Sequence, residues 1–123
     1  MVPPKILVTG IDASYYTVKD LDRATKFYTK LFGTNPTVTF PDMTCEWSFA
    51  NGETFGLYKP PERESEFHAS SGVMFAVADV ASAVEASKAY GASFHGDVED
   101  TPVCHMAFGM DTEGNGFILH RRK

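Results

Sequence analysis

VKDLDRATKFYTKLFG, Val18 to Gly33, and VADVASAVEASKAYG, Val77 to Gly91, are two copies of one unit. Each opens Val-x-Asp, places an apolar residue and an alanine at matched positions, and ends at glycine. Asp20 and Asp79, Leu21 and Val80, and Ala24 and Ala83 stand at one constant offset. Self-similarity at about half the chain length predicts two modules. In the first copy Leu21, Ala24, Phe27, Tyr28 and Leu31 form the apolar stripe of an amphipathic helix, and Val80, Ala83, Val84, Ser87 and Tyr90 form its counterpart. Asp20 and Asp79 sit at N-cap positions, where a carboxylate accepts from the free N–H groups of the first turn. Gly33 and Gly91 sit where a helix stops.

Working outward, each helix is preceded by a segment rich in β-branched and aromatic residues, GIDASYYTV or SGVMFAV. After the first helix come TVTF, TCEWSFA, the hairpin signal Asn51-Gly52 and TFGLY; after the second come ASFHG, VCHMAFG, a turn at residues 113–116 and FILH. Each half therefore reads β-α-β-β-β. The stretch KPPERESEFHASS, Lys59 to Ser71, is polar, holds Pro60 and Pro61, and has no apolar period, which makes it the linker. The expectation is one α+β domain over 1–123, with module one at about 5–58, the linker at 59–71 and module two at about 72–121. One helix covers only one face of each sheet. The uncovered faces of two such modules can wall a shared cleft within a curved mixed sheet, helices outside.

Bulk properties narrow the function classes. At 123 residues with 43% hydrophobic and 22% charged residues, the chain is long enough to bury a core. A net charge of −5 and the lack of any basic run beyond Arg121, Arg122 and Lys123 argue against nucleic-acid binding. The N-terminal MVPPKILVTG is too short in apolar residues for a signal core or a membrane span, which points to a cytoplasmic protein. Cys45 and Cys104 are expected to be free thiols.

With both modules in place, the chain resembles the vicinal oxygen chelate superfamily, which includes glyoxalase I, extradiol dioxygenases, and fosfomycin- and bleomycin-resistance proteins. The resemblance rests on the two helix units and on DTEGNGFILH, Asp111 to His120, which is similar to the family's Asp-Pro-x-Gly-Asn turn and final strand. It implies a divalent metal held by His, Glu or Gln on the first and last strands of each module. Transferred position by position, those sites fall on Ala13, Gly56, Gly72 and Ile118, none of which carries a metal-binding side chain. A one-residue slip offers only Asp12, Glu53 and His120. No metal or other cofactor is therefore expected.

What the resemblance leaves is a cleft for an organic ligand. Strand alternation puts Tyr15 and Thr17 on the face of Ala13, Thr54 and Tyr58 beside Gly56, Met74 beside Gly72, and His120 beside Ile118. Trp47 is either a stacking residue, as aromatics are in the bleomycin-binding relatives, or packing of the core or a dimer. Cys104 and His105 are adjacent, so their side chains point to opposite faces and do not form a nucleophile pair. His105 and His120 are each a candidate acid or base or a ligand contact. The reading is a metal-independent protein that sequesters or carries a small aromatic or amphipathic compound, expected by resemblance to be a homodimer. The alternatives are a lyase, isomerase or dioxygenase of the same superfamily, metal-free or with ligands at other positions, and a dimeric interaction module without a ligand.

Overall fold

The computed structural model describes residues 6–61 and 67–123; residues 62–66, the middle of the expected linker, and residues 1–5 lie outside them. The first half forms β1 (Ser14–Thr17), α1 (Leu21–Phe32), β2 (Val38–Phe40), β3 (Thr44–Ser48) and β4 (Thr54–Tyr58). The second repeats it as β5 (Val73–Ala76), α2 (Val80–Ala89), β6 (Ser93–Asp100), β7 (Cys104–Met110) and β8 (Gly116–Arg122). Each half is a four-stranded mixed sheet of the same order, β1-β4-β3-β2 and β5-β8-β7-β6, with the first and last strands of the module parallel. The two β-α-β-β-β modules and the α+β class read from the sequence are present.

Both helices start as their caps dictate. The Asp20 carboxylate accepts from the Arg23 N–H and the Asp79 carboxylate from the Ser82 N–H. Gly33 closes α1 at φ 72°, a left-handed conformation in which its N–H reaches the Thr29 carbonyl and which a side chain would strain. Asn51-Gly52 makes the β3–β4 turn, where the Asn51 side chain accepts from the Glu53 N–H. Strand lengths depart from the pattern, β1 and β6 among them. β1 is shorter than GIDASYYTV, and β6 is longer than ASFHG because a bulge between His95 and Glu99, with Gly96 at φ 78°, lets pairing with β7 resume after the irregularity.

One core serves both modules. The Phe27 ring of α1 meets Phe117 of β8 at 5.9 Å between centroids, and Phe55 of β4 meets Phe75 of β5 edge-to-face at 5.1 Å. The Tyr16 hydroxyl donates to the Gly116 carbonyl at 2.6 Å and accepts from the Val73 N–H at 3.0 Å, tying β1 to the starts of β5 and β8.

The turn Asp111-Thr112-Glu113-Gly114-Asn115 fastens the second module to the first helix. The buried Glu113 carboxylate accepts from the Lys19 and Asp20 N–H groups at 2.9 and 2.8 Å and from the Arg23 guanidinium at 2.7 and 3.1 Å. Burial pushes this carboxyl up, but the Arg23 guanidinium, the Thr112 hydroxyl and the two backbone donors outweigh it and hold it below the usual carboxylate range. Asp111 accepts from the Tyr28 hydroxyl at 2.6 Å on one oxygen and from the Glu113 and Asn115 N–H groups on the other. Asn115 donates to the Thr17 carbonyl and accepts from the Ser70 N–H. Each polar end that is buried here has a partner, as burial requires.

Candidate functional site

Because the shared core lies against the helix-bearing faces, the other face of each sheet stays open. On the first sheet strand pairing sets Tyr15, Gly56 and Glu46 in one row and Thr17, Tyr58 and Thr44 in the next. Tyr15 and Tyr58 are 42% and 36% exposed, and Phe40 at the edge is 57% exposed. Glu46 is the one formally charged side chain at neutral pH in β1 to β4. The Tyr15 hydroxyl donates to its carboxylate, and partial burial together with Glu46 raises the phenol above its ordinary value.

The Tyr15 ring reaches Glu46 by crossing Gly56. A Cβ at position 56 would stand 2.5 Å from Tyr15 Cζ, so only glycine leaves room for the ring. This is a place where the resemblance calls for a metal donor, and an aromatic ring fills it. Ala13, Gly72 and Ile118 supply no donor atoms, and no group of three His, Cys, Asp or Glu side chains suited to a metal occurs among the described residues. The residues present do not fit the metal.

On the second sheet the open face carries Met74, Ile118 and Phe108 in one row and Ala76, His120 and Met106 in the next. Met74 is 53% exposed and His120 is half-buried. Tyr15, Thr17 and Tyr58 are thus together on one open face, and Met74 and His120 on the other.

Trp47 and His105 are elsewhere. Trp47 is 1% exposed on the helix-bearing face of β3, edge-to-face with Phe32 at 5.2 Å, and its indole N–H donates to the Thr34 carbonyl. It is packing, the second of its two sequence readings, because its alternation places it with Cys45 against α1. His105 pairs with Arg121, one residue out of phase with His120, and so faces the α2 side of the sheet beside Asp79 and Val80. Its Nε2 lies 3.4 Å from Asp100. Cys104 turns the other way, towards the Thr101 hydroxyl, so no Cys–His pair forms.

A groove runs between the modules. One cavity of about 320 Å³ lies where Ala13 and Ser14 approach Gly72 and Val73, walled by Phe49, Phe55, Phe75 and Met74. A second of about 450 Å³ continues along β5 past Phe32, Phe49 and Ala76. Sequence reading placed Ala13, Gly72 and Met74 in a shared cleft but not the Phe49 side of this groove, since Phe49 belongs to a hairpin that only tertiary packing brings to β5. It also missed Glu46 as the partner of Tyr15, although alternation from Trp47 could have placed it on the open face.

The Glyoxalase/Bleomycin resistance protein/Dioxygenase superfamily profile matches residues 10–119. No curated protein matches the chain significantly. Among solved structures, a glyoxalase/bleomycin resistance protein from Albidiferax ferrireducens T118 superposes with a TM-score of 0.75 at 19% identity, over 92% of this chain and 98% of its own. TnmS3, an antibiotic binding protein from Streptomyces sp. CB03234, superposes with a TM-score of 0.76 at 17% identity, over 97% and 100%. A glyoxalase-related enzyme from Fulvimarina pelagi gives 0.75 at 16%, over 93% and 88%. At these identities the likeness is one of fold, whereas the profile spans nearly the whole sequence and both of its repeated units. The chain belongs to the Glyoxalase/Bleomycin resistance protein/Dioxygenase superfamily.

Proposed function

We propose that this protein binds a small aromatic or amphipathic compound without a metal, sequestering or carrying it, with residues 1–123 acting as one unit. The observation that carries the reading is Tyr15 lying across Gly56: the space for a metal donor is given to an aromatic ring and its hydroxyl. The antibiotic-binding description of TnmS3, a structural neighbour, supports the same direction. Tyr15, Thr17 and Tyr58 supply rings and hydroxyls from one open face; Met74 and His120 supply a thioether and an imidazole from the other.

The homodimer that the resemblance implies would set these open faces against those of a second copy. Val38, Phe40, Met74, Phe108 and Met110 are exposed apolar residues on these faces, the surface that such pairing would bury. Two unbridged cysteines fit a reducing, cytoplasmic setting. Acid–base catalysis by His105 or His120 has less support: His105 is on the α2 side of the second sheet, away from the open face, and His120 stands on that face without another histidine or carboxylate of β5 to β8 in its row.

A thermal-shift screen over aromatic and amphipathic compounds tests the reading. A compound at a hundred times its dissociation constant adds about 2.7 kcal/mol. No stabilisation across a broad library, or a near-stoichiometric transition metal held at the Gly56 row in the purified protein, would overturn it.

A further inference from the structure

The groove between the modules carries a ligand preference of its own. Its two cavities share Phe49, Glu53, Met74 and Phe75, which makes them one continuous depression lined by both modules. Among the described residues the only ionisable side chains along it are the carboxylates of Asp12 and Glu53, and no lysine, arginine or histidine of these residues lines either cavity. Neither carboxylate has a hydrogen-bond or salt-bridge partner among the described residues. Glu53 takes part in the hairpin through its backbone alone, accepting from the Phe49 N–H and donating to Asn51.

The opposite wall is aromatic and already packed. Phe32 stands edge-to-face with both Phe49 and Phe75, at 5.2 and 5.0 Å, and Phe75 with Phe55 at 5.1 Å. These rings hold one another in place, so a ligand meets a formed surface and loses little to ordering it. The unpaired carboxylates attract a cation, and the apolar wall takes the hydrocarbon body that the cation carries. An anion is repelled by the carboxylates. A neutral compound gains the apolar wall and nothing from the carboxylates.

We infer that this groove is a binding site for an amphipathic organic cation, a quaternary or protonated amine carrying an apolar or aromatic body. The amine sits towards Asp12 and Glu53, and the body lies on Phe49, Phe75 and Met74. The site lies within one chain and borders the open face of the second sheet through Met74 and Ala76, so it adds a charge preference to the proposed function on which it rests.

Methyl NMR resolves the two locations, because Val73 lines the groove from the face of β5 opposite Met74, Met106 and Met110 lie on the open face of the second sheet, and Met74 borders both. The probes are benzyltrimethylammonium, benzyl alcohol and benzenesulfonate at low salt. The expected result is a saturable shift of the Val73 and Met74 methyls with the cation, binding about tenfold weaker for the alcohol and none for the sulfonate. Glu53→Gln should weaken the cation several-fold and leave the alcohol unchanged. Equal affinity for all three probes overturns the inference, as does an unaltered cation affinity in Glu53→Gln. Shifts at Met106 and Met110 with Val73 unmoved also overturn it, while leaving small-molecule binding on the open faces standing. No response from any probe removes the groove site alone, since the library screen decides the wider reading.

Discussion

Tyr15 and Gly56 are register partners on parallel neighbouring strands, and the ring of the first occupies the space that a side chain on the second would need. Gly56→Ala therefore displaces the ring. Tyr15 is 42% exposed and can swing outward, so the stability cost should be about 1 kcal/mol, the low end for overpacking. The larger effect is loss of the bond to Glu46. The Tyr15 phenol, raised in the native protein, should fall back towards its ordinary value, measured by ultraviolet titration against Tyr15→Phe as the blank.

Removing the charge of Glu113 should be more costly. Glu113→Gln cannot accept from four donors in the same way, and it strips the Arg23 guanidinium and the Lys19 and Asp20 N–H groups of their partner. Arg23, half exposed, can turn to water, but losing the charged acceptor of the two backbone N–H groups costs about 1–3 kcal/mol. Urea unfolding should show a lower midpoint with an unchanged slope.

The same carboxylate sets a pH dependence. Its folded pKa lies below the unfolded value of about 4.3, so its contribution is complete above that value and is lost as pH falls through the folded one. The wild type should lose stability steeply below about pH 4, whereas Glu113→Gln should start lower and fall less over the same range. Parallel curves for the two proteins would assign the acid sensitivity to other carboxylates.

Trp47, buried and bonded to Thr34, should emit at short wavelength and resist quenching by acrylamide. Ligands that stabilise the protein should leave its emission nearly unchanged. Trp47→Ala should cost about 3–5 kcal/mol by opening a cavity, without selectively weakening any ligand.

Pairing of the open faces is checked by scattering. The native protein should behave as a dimer at micromolar concentration, and Phe108→Asp or Phe40→Asp should shift it to monomer. Both rings are partly exposed in the single chain, so the variants should stay folded, with unfolding slopes like the wild type.

The architecture was legible in the sequence because its signals are local and occur twice. Asp20 and Asp79 cap helices, Asn51-Gly52 turns a hairpin, and period-two alternation told Tyr15 from Tyr16. Alternation did not decide Trp47 between stacking and packing, because which face of β3 meets α1 is set by tertiary contacts. What escaped reading depends on contacts distant in sequence. Nothing near Glu113 announces that its carboxylate will lie under the start of α1, and nothing near Phe49 or Glu53 announces a neighbour on β5. His105 is set apart from His120 for a simpler reason: one residue out of phase with it on the paired strand, His105 faces the α2 side of the sheet.

The bond from Tyr16 to Gly116 and the grip of Glu113 on the start of α1 give the duplicated chain an unexpected indivisibility. Each half repeats a complete topological unit, yet Lys19 and Asp20, which lead into the first helix, have their N–H groups satisfied by the turn at Glu113 in the second half. Phe27 and Phe55 are covered by rings from the other half. A fragment ending at the linker would retain every local signal for its helix and strands and still lack the partners that make them persist. Folding must wait for contacts of high sequence separation, which slows it relative to a chain of two autonomous halves. The repeat is thus a memory of two units in a molecule that now assembles as one.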